Sequence, residues 1–376
     1  MEIKEIFRHI ENWAPRGIAW EKDNTGLQVG SREIKVRNVL ICLDLTREIV
    51  HEAIAKKCNL IISHHPLIFA PIKKIQTSTD PTSQLIELLL KNNITLYSAH
   101  TNLDFTKNGV SFELAKKLKL KNVKFLSAIS KAQFKLVVFV PGKNVSEVSE
   151  AIFSAGGGVI GEYSHCSFRS EGKGTFLGSD LSNPAIGRKG NIEEAPEVRL
   201  EVIADKWNLG EVIERMKSAH PYEEPAYDIY PLENKNINFG FGAIGEFDKP
   251  VEKDLFLNEV CRILKTPSVK HSEAKTSLIK RVAVCGGSGS ELLPEAVRAG
   301  ADAFITADIK YHTYFDAFEN ILMIDAGHFE TEVVVLEKLK NYLEVFINSG
   351  KKTADILISQ YLRNPVKVFN YRQRRK

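Results

Sequence analysis

The chain lacks three features that would place a protein at once: paired cysteines, a long apolar run and a strong charge of one sign. Its five cysteines, at 42, 58, 166, 261 and 285, form no CxxC pair. That argues against a disulfide scaffold and for reduced thiols in a cytoplasmic setting. No apolar run reaches the ~20 residues a membrane helix needs, so no membrane partner is expected. The opening MEIKEIFRHIENWAP is amphipathic and carries acids, which predicts a helix rather than a signal peptide. A formal charge of +4 is too mild to imply nucleic acid. The one locally basic stretch, YRQRRK at 371–376, reads as a solvated end.

What is present is an ordinary globular composition. Hydrophobic residues make up 43% and charged residues 26% of 376 positions, too many for one core and about right for two domains. The first segment, 1–128, alternates strand and helix patterns. VRNVLICLDL (36–45) is a near-continuous apolar run, the mark of a strand buried on both faces. TREIVHEAIAKK has helical spacing, NLIIS is a strand, SQLIELLLKNN a helix and ITLYSAH a strand. That order predicts a parallel sheet with crossover helices. The last segment, 236–376, resumes it: RVAVCGGSGSELLPEAVRAG is strand, turn and helix, ADAFITAD and ILMIDAG are strands, KYHTYFDAFEN is helical and HFETEVVVLEKLKNYLEVF is one long helix. Between them, 129–235 contains an internal repeat, with VPGKNVSEVSEAI aligning on ADKWNLGEVIERM. Two such halves predict a ferredoxin-like α+β module. The expected architecture is an α/β fold, its two outer segments completing one sheet, with the module inserted.

Ligands of open parallel sheets bind beyond the carboxyl ends of strands. His64 and His65 follow NLIIS, His100 follows ITLYSA with Asp104 four residues on, and His328 follows ILMIDAG with Glu332 four residues on. Residues i and i+4 share one helix face, so His328 and Glu332 can grip one object. Imidazole nitrogen and carboxylate oxygen suit zinc, iron or manganese. Six candidates exceed the three or four protein ligands of one catalytic ion. The surplus favours two divalent ions ~3.5–4 Å apart, bridged by a carboxylate.

Other stretches carry less. CGGSGS (285–290) lacks the Lys-Ser/Thr of a P-loop, so a plain strand-to-helix turn is the better reading. Cys285 has no placed base to make it a nucleophile. His165 and Cys166 read as turn and strand pairing rather than a second metal site. HPYEEPAYD (220–228) combines acids and aromatics that suit a small effector.

EKDNTGLQVG, ISHHPLIF, SAHTNLD, TADIKYH and GHFETE resemble, in that order, motifs of the NGG-interacting-factor-three-like family. Its bacterial members are often named GTP cyclohydrolase I type 2 homologues. GEYSHCSF, GTFLGS, NPAIG and AHPYEEPAYDIYPL resemble the inserted PII/CutA-like domain of the longer members. One departure is EKDNTGLQVG, where Trp-Asp-Asn is more usual; here Trp20 sits earlier and Lys22 intervenes, which bears on the packing of this loop. The resemblance implies a three-layer α/β/α core and hexameric rings with inward-facing metal sites. It implies His65 and Asp104 on one ion, His64 and His328 on the other, and Glu332 as the bridge. His100 is implied as a ligand or a neighbouring group. Asp308 and His312, four apart, are expected at the same mouth, with His312 as a supporting group or proton shuttle.

Three functions follow. A metal-dependent hydrolase would take a small-molecule substrate, a nucleotide among them, with His100 or His312 moving the proton. The family name suggests hydrolytic opening of a guanine ring in GTP, and a phosphoesterase is as compatible. A non-catalytic metal-binding regulator is the second. A ring-shaped nucleic-acid-binding protein is the third, and the near-neutral charge counts against it.

Overall fold

The apolar runs of the outer segments form strands covered on both faces. The structure, a computed structural model, describes residues 1–318, 320–349 and 353–369; the basic stretch at 371–376 lies outside the described residues. The first segment runs α1 (Ile3–Trp13), β1 (Gly26–Val29), β2 (Asn38–Cys42), α2 (Arg47–Ala55), β3 (Cys58–Ser63), α3 (Pro81–Lys91), β4 (Thr95–Ser98), α4 (Thr101–Asp104), α5 (Val110–Lys117) and β5 (Lys121–Ser130). Then come β6 (Gln133–Pro141), α6 (Val145–Ser154), β7 (Phe168–Leu177), β8 (Ile192–Asp205), α7 (Leu209–Ala219) and β9 (Tyr227–Leu232). The chain closes with β10 (Lys235–Glu252), α8 (Lys253–Leu264), β11 (Lys270–His271), β12 (Leu278–Ser288), α9 (Leu293–Arg298), β13 (Ala303–Ala307), α10 (Tyr311–Ala317), β14 (Leu322–Asp325), α11 (His328–Glu332), α12 (Val335–Ile347) and β15 (Ile356–Ile358).

The outer segments build two sheets, not the single sheet expected. One has the order β1-β4-β3-β2-β15 and the other β11-β14-β13-β12-β10-β5. Each takes a strand from the other end of the chain: β15 runs parallel to β2, and β5 lies beside β10. The antiparallel partners β1 and β11 end the parallel runs, so neither sheet continues into the other. The first sheet packs one face on α1 and α12, through Ile3, Ile6, Leu339 and Leu343, and the other on α2 and α3, through Ile49, Val50, Ile86 and Leu89. The second packs α5 and α8 on one face, through Leu114, Phe256 and Val260, and α9 and α10 on the other, through Leu293, Ala296 and Ala317. Each sheet is thus the middle of three layers. Burial on both faces explains why Val39–Leu43 and Val282–Val284 show no alternation.

The long helix expected after ILMIDAG is interrupted at Val333–Val334 into α11 and α12. Three consecutive valines there have stiff, helix-disfavouring side chains. The break leaves α11 as a short platform carrying His328 and Glu332.

The described residues divide into two compact units, one of Met1–Ser127 with the residues from Phe239 onward, the other Ala128–Asn238. The second unit is β-α-β-β-α-β, its sheet ordered β7-β8-β6-β9 and antiparallel throughout. That is the ferredoxin-like topology. Its core joins Leu136, Val138 and Val140 to Val148, Ile152, Val212 and Met216 of the two helices. In the first unit, a side chain at Gly240 would sit 2.6 Å from the Ser127 carbonyl oxygen. The chain therefore leaves and re-enters this unit at neighbouring points, and glycine permits the approach.

Candidate metal centre

Sheet register brings the donors to one edge. Cys42 pairs with Ser63, and Ser63 with Ser98, so β2, β3 and β4 end level. The residues that follow, Asp44, His64, His65 and His100, emerge together. The backbone holds them there: the His64 N–H donates to the Cys42 carbonyl at 3.1 Å, His65 N–H to Leu43 at 2.9 Å and Ala99 N–H to Ser63 at 2.9 Å. In the other sheet Ser288 pairs with Ala307 and Thr306 with Asp325, which delivers Asp308 and His328 to a second such edge.

Each imidazole is fixed by its Nδ1 atom. That of His64 lies 2.8 Å from the Ala99 carbonyl oxygen, that of His65 2.8 Å from Asp44, that of His100 2.9 Å from Asp23 and that of His328 2.6 Å from Asp308. An acceptor at Nδ1 sets the tautomer and leaves Nε2 as the free donor atom, the arrangement of a ligating histidine. The Nε2 atoms converge on Glu332, 2.9 Å for His65, 3.0 Å for His328 and 3.8 Å for His64, and His64 Nε2 lies 3.5 Å from Asp104. Close approach does not pair every atom. His64 Nε2, His65 Nε2, Asp104 Oδ1 and Glu332 Oε2 are buried without an aligned partner. Buried polar atoms are almost always paired, because an unpaired one costs about 1–3 kcal/mol. Four such atoms facing one another fit a cation that is the missing partner. His64, His65 and His100 form one group of donor atoms within 4.8 Å, and His65, His328 and Glu332 another.

The electrostatics agree. Burial opposes charge on Glu332, yet His328 and His64 beside it hold its carboxyl well below the ordinary range. Burial lifts Asp104 to about 7, with Glu332 adding to the rise and His64 opposing it. Burial opposes charge on His65, but Asp44 and Glu332 raise it to about 10. Glu332 raises His328 to about 9 against burial, with Asp308 adding. Without metal the cluster thus stores protons on the atoms a cation would take, so metal binding must displace them.

Of the predicted residues, His64, His65, His100, Asp104, His328 and Glu332 are brought together. The distances group them differently from the resemblance: His64 lies with Asp104, and His65 meets His328 across Glu332. Asp308 reaches the site through His328. His312, at the start of α10, is exposed and its ring packs against Tyr311; it does not line the cavity beside the cluster. That cavity, about 870 Å³, is walled by Trp20, Phe69, Phe105 and Phe241 and reaches His100, Asp104, His328 and Glu332. CGGSGS is the end of β12 to Ser288, then Gly289 and the start of a short helical turn at Ser290, so the passage from strand to helix is there but tighter than expected. Its Gly287 has φ +62°, and a side chain there would overlap Glu332 Oε1 and touch His328 Nε2. Asp44 and Asp23 were not singled out in the sequence as supports of His65 and His100. Asp44 does sit two residues past a strand end, the signal shared by the histidines. Asp23 also binds Thr101, and Asn24 donates to the Ile68 carbonyl, so the departing loop is firmly packed.

The profile of the Duf34/NIF3 (NGG1p interacting factor 3) family matches residues 1–365. The chain belongs to this family. It is 38% identical over 364 residues to a Bacillus subtilis relative, covering 96% of this chain and 97% of that one, and 36% identical over 362 residues to one from Halalkalibacterium halodurans, covering 96% and 97%. Both relatives are named GTP cyclohydrolase 1 type 2 homolog. Among solved structures, it is similar to a Bacillus cereus protein related to NIF3, at 38% identity and TM-score 0.83 over 98% of this chain and 99% of that one. Among the described residues no helix is long and apolar enough to cross a membrane.

Proposed function

We propose that this Duf34/NIF3 protein is a dinuclear metal-dependent hydrolase. The observation that carries the reading is the set of buried, unpartnered donor atoms on His64, His65, Asp104 and Glu332. With His328 these residues would hold two divalent ions, zinc, iron or manganese, with Glu332 as the bridge. Such a pair supplies Lewis acidity and a water of lowered pKa. The chain's own residues do the rest. Asp23 fixes the His100 ring so that Nε2 can carry a proton between the cavity and the centre. The aromatic wall of Trp20, Phe69, Phe105 and Phe241 offers faces on which a flat ring could stack. Among the described residues lining the cavity none is Lys or Arg, so a substrate phosphate would depend on the metals. That favours a small ring-bearing substrate, a nucleotide or its phosphoester, over one held by a cationic cradle. His312, exposed and outside the lining, has no part in this scheme. The names of the relatives and the earlier resemblance extend the proposal to GTP-like substrates, a PII/CutA-like insertion and a hexameric ring.

The test is turnover of GTP and of bis(4-nitrophenyl) phosphate by protein reconstituted with each metal. Release that needs metal and vanishes in Glu332→Gln is expected. Stoichiometric metal binding with no turnover of either compound would move the reading to a regulator.

A further inference from the structure

A second cavity, about 380 Å³, lies wholly within the unit Ala128–Asn238. The metal centre does not use it, and part of its wall is the acid-and-aromatic stretch HPYEEPAYD. Its size falls at the lower end for small-molecule pockets. Phe139, Phe176, Ile186 and Tyr222 give it an apolar body. The rings of Phe176 and Tyr222 stand 6.5 Å apart, tilted by 54°.

His220 fixes two of these walls. Its Nε2 lies 3.0 Å from the Phe139 carbonyl oxygen, and its Nδ1 accepts from the Tyr222 N–H at 3.1 Å. A buried group anchoring both the β6 strand and the Tyr222 backbone makes a preformed pocket rather than a surface dent. The polar groups are unbalanced in sign. Lys173, the cation of the lining, is already bound to Glu194. Glu223 already accepts from the Asn183 N–H at 2.8 Å. Glu197 and Glu224 remain on the wall. The Tyr222 hydroxyl is buried beside Glu197, and burial and that carboxylate together push its pKa up.

We propose that this cavity binds a small organic cation with a flat apolar body: the body against Phe139, Phe176 and Tyr222, the ammonium toward Glu197 and Glu224. Aromatic faces attract cations through their quadrupole, and the two carboxylates add charge complementarity. The Tyr222 hydroxyl, beside Glu197, adds an oxygen on the side where the ammonium would sit. An anion of the same shape would meet like charge and be refused.

The experiment compares two isosteric probes, tryptamine and indole-3-propionate, by calorimetric titration of the full-length protein. Saturable binding of one tryptamine per chain is expected, with indole-3-propionate at least about tenfold weaker. Glu197→Gln and, separately, Phe176→Ala should each weaken tryptamine about tenfold, and Glu332→Gln should leave it unchanged. Circular dichroism verifies that each variant is folded; Phe176→Ala serves where Glu197→Gln does not fold. No saturable tryptamine binding, equal binding of the two probes, or undiminished affinity in the folded variants would each overturn the proposal.

Discussion

His64 and His220 are both buried, 1% and 7% exposed, one in each compact unit. In the 128–238 unit, both ring nitrogens of His220 are engaged by backbone groups. In the outer unit, His64 has its Nδ1 engaged and its Nε2 open among carboxylates. The first pattern is a structural histidine, whose imidazole ties the β6 strand to the turn at Tyr222. The second leaves a nitrogen that could hold a metal ion. Openness alone does not make a ligand, as His9 teaches: its Nε2 is also unpartnered, but the ring is stacked between Tyr342 and Phe346 and belongs to no group of three donors among the described residues. What distinguishes the candidate metal centre is several open nitrogens and carboxylate oxygens converging, with each imidazole anchored from behind through its Nδ1.

The largest effect should come from Glu332→Gln. It removes the charge that three imidazoles share, and metal content should fall from about two equivalents to near none, a loss beyond the ~100-fold that an outer partner costs. Elemental analysis checks it; loss of a single equivalent would mean that Glu332 does not bridge. Gly287→Ala should follow, since it forces both a strained φ and an overlap with Glu332. A stability loss of about 1–3 kcal/mol together with weakened metal binding is expected from denaturant titration and metal competition. Asp44→Ala frees the His65 ring and should weaken metal binding by ~10–100-fold while the fold persists.

The pH dependence should change sign with metal. Without it, His65 and His328 have folded values of about 10 and about 9, above the ordinary imidazole value of 6.5. Their stabilisation is complete below pH 6.5 and is lost as pH rises through those values. Asp104, raised to about 7, acts in the same direction at lower pH. Glu332 is held low, so its contribution is lost only in acid. The unfolding temperature of chelator-treated protein should therefore fall between pH 6.5 and 10, while metal affinity rises over that range as the ligands lose their protons. A flat profile for the metal-free protein would break this account. The smallest effect on the centre should come from His220→Leu, which removes two backbone hydrogen bonds, destabilises its own unit by about 1–3 kcal/mol and leaves metal content unchanged.

Much of the site was legible because strand ends are. Each histidine that closes an apolar run falls at the carboxyl end of a parallel strand, His64, His65 and His100 in one sheet and His328 in the other. The supports were harder to see. Asp44 and Asp23 are 21 and 77 residues from the imidazoles they hold, and only the fold brings them near. The split into two sheets was hidden because β5 and β15 each join the sheet of the opposite chain end, over long separations that local pattern does not encode. The break between α11 and α12 was legible in Val333–Val335 but overridden by the helical spacing around it. His312 shared its i, i+4 spacing with Asp308, yet Asp308 lies before α10 with φ +53°, so no helix joins the two and the spacing implied a face that does not form.

The most direct measurement is a crystal structure of protein purified without chelator, with anomalous scattering recorded at the zinc, iron and manganese edges. Two anomalous peaks are predicted, flanking Glu332 and within bonding distance of Nε2 atoms of His64, His65 and His328 and of Asp104. A single peak, or none at Glu332 with these nitrogens still unpartnered, would contradict the account.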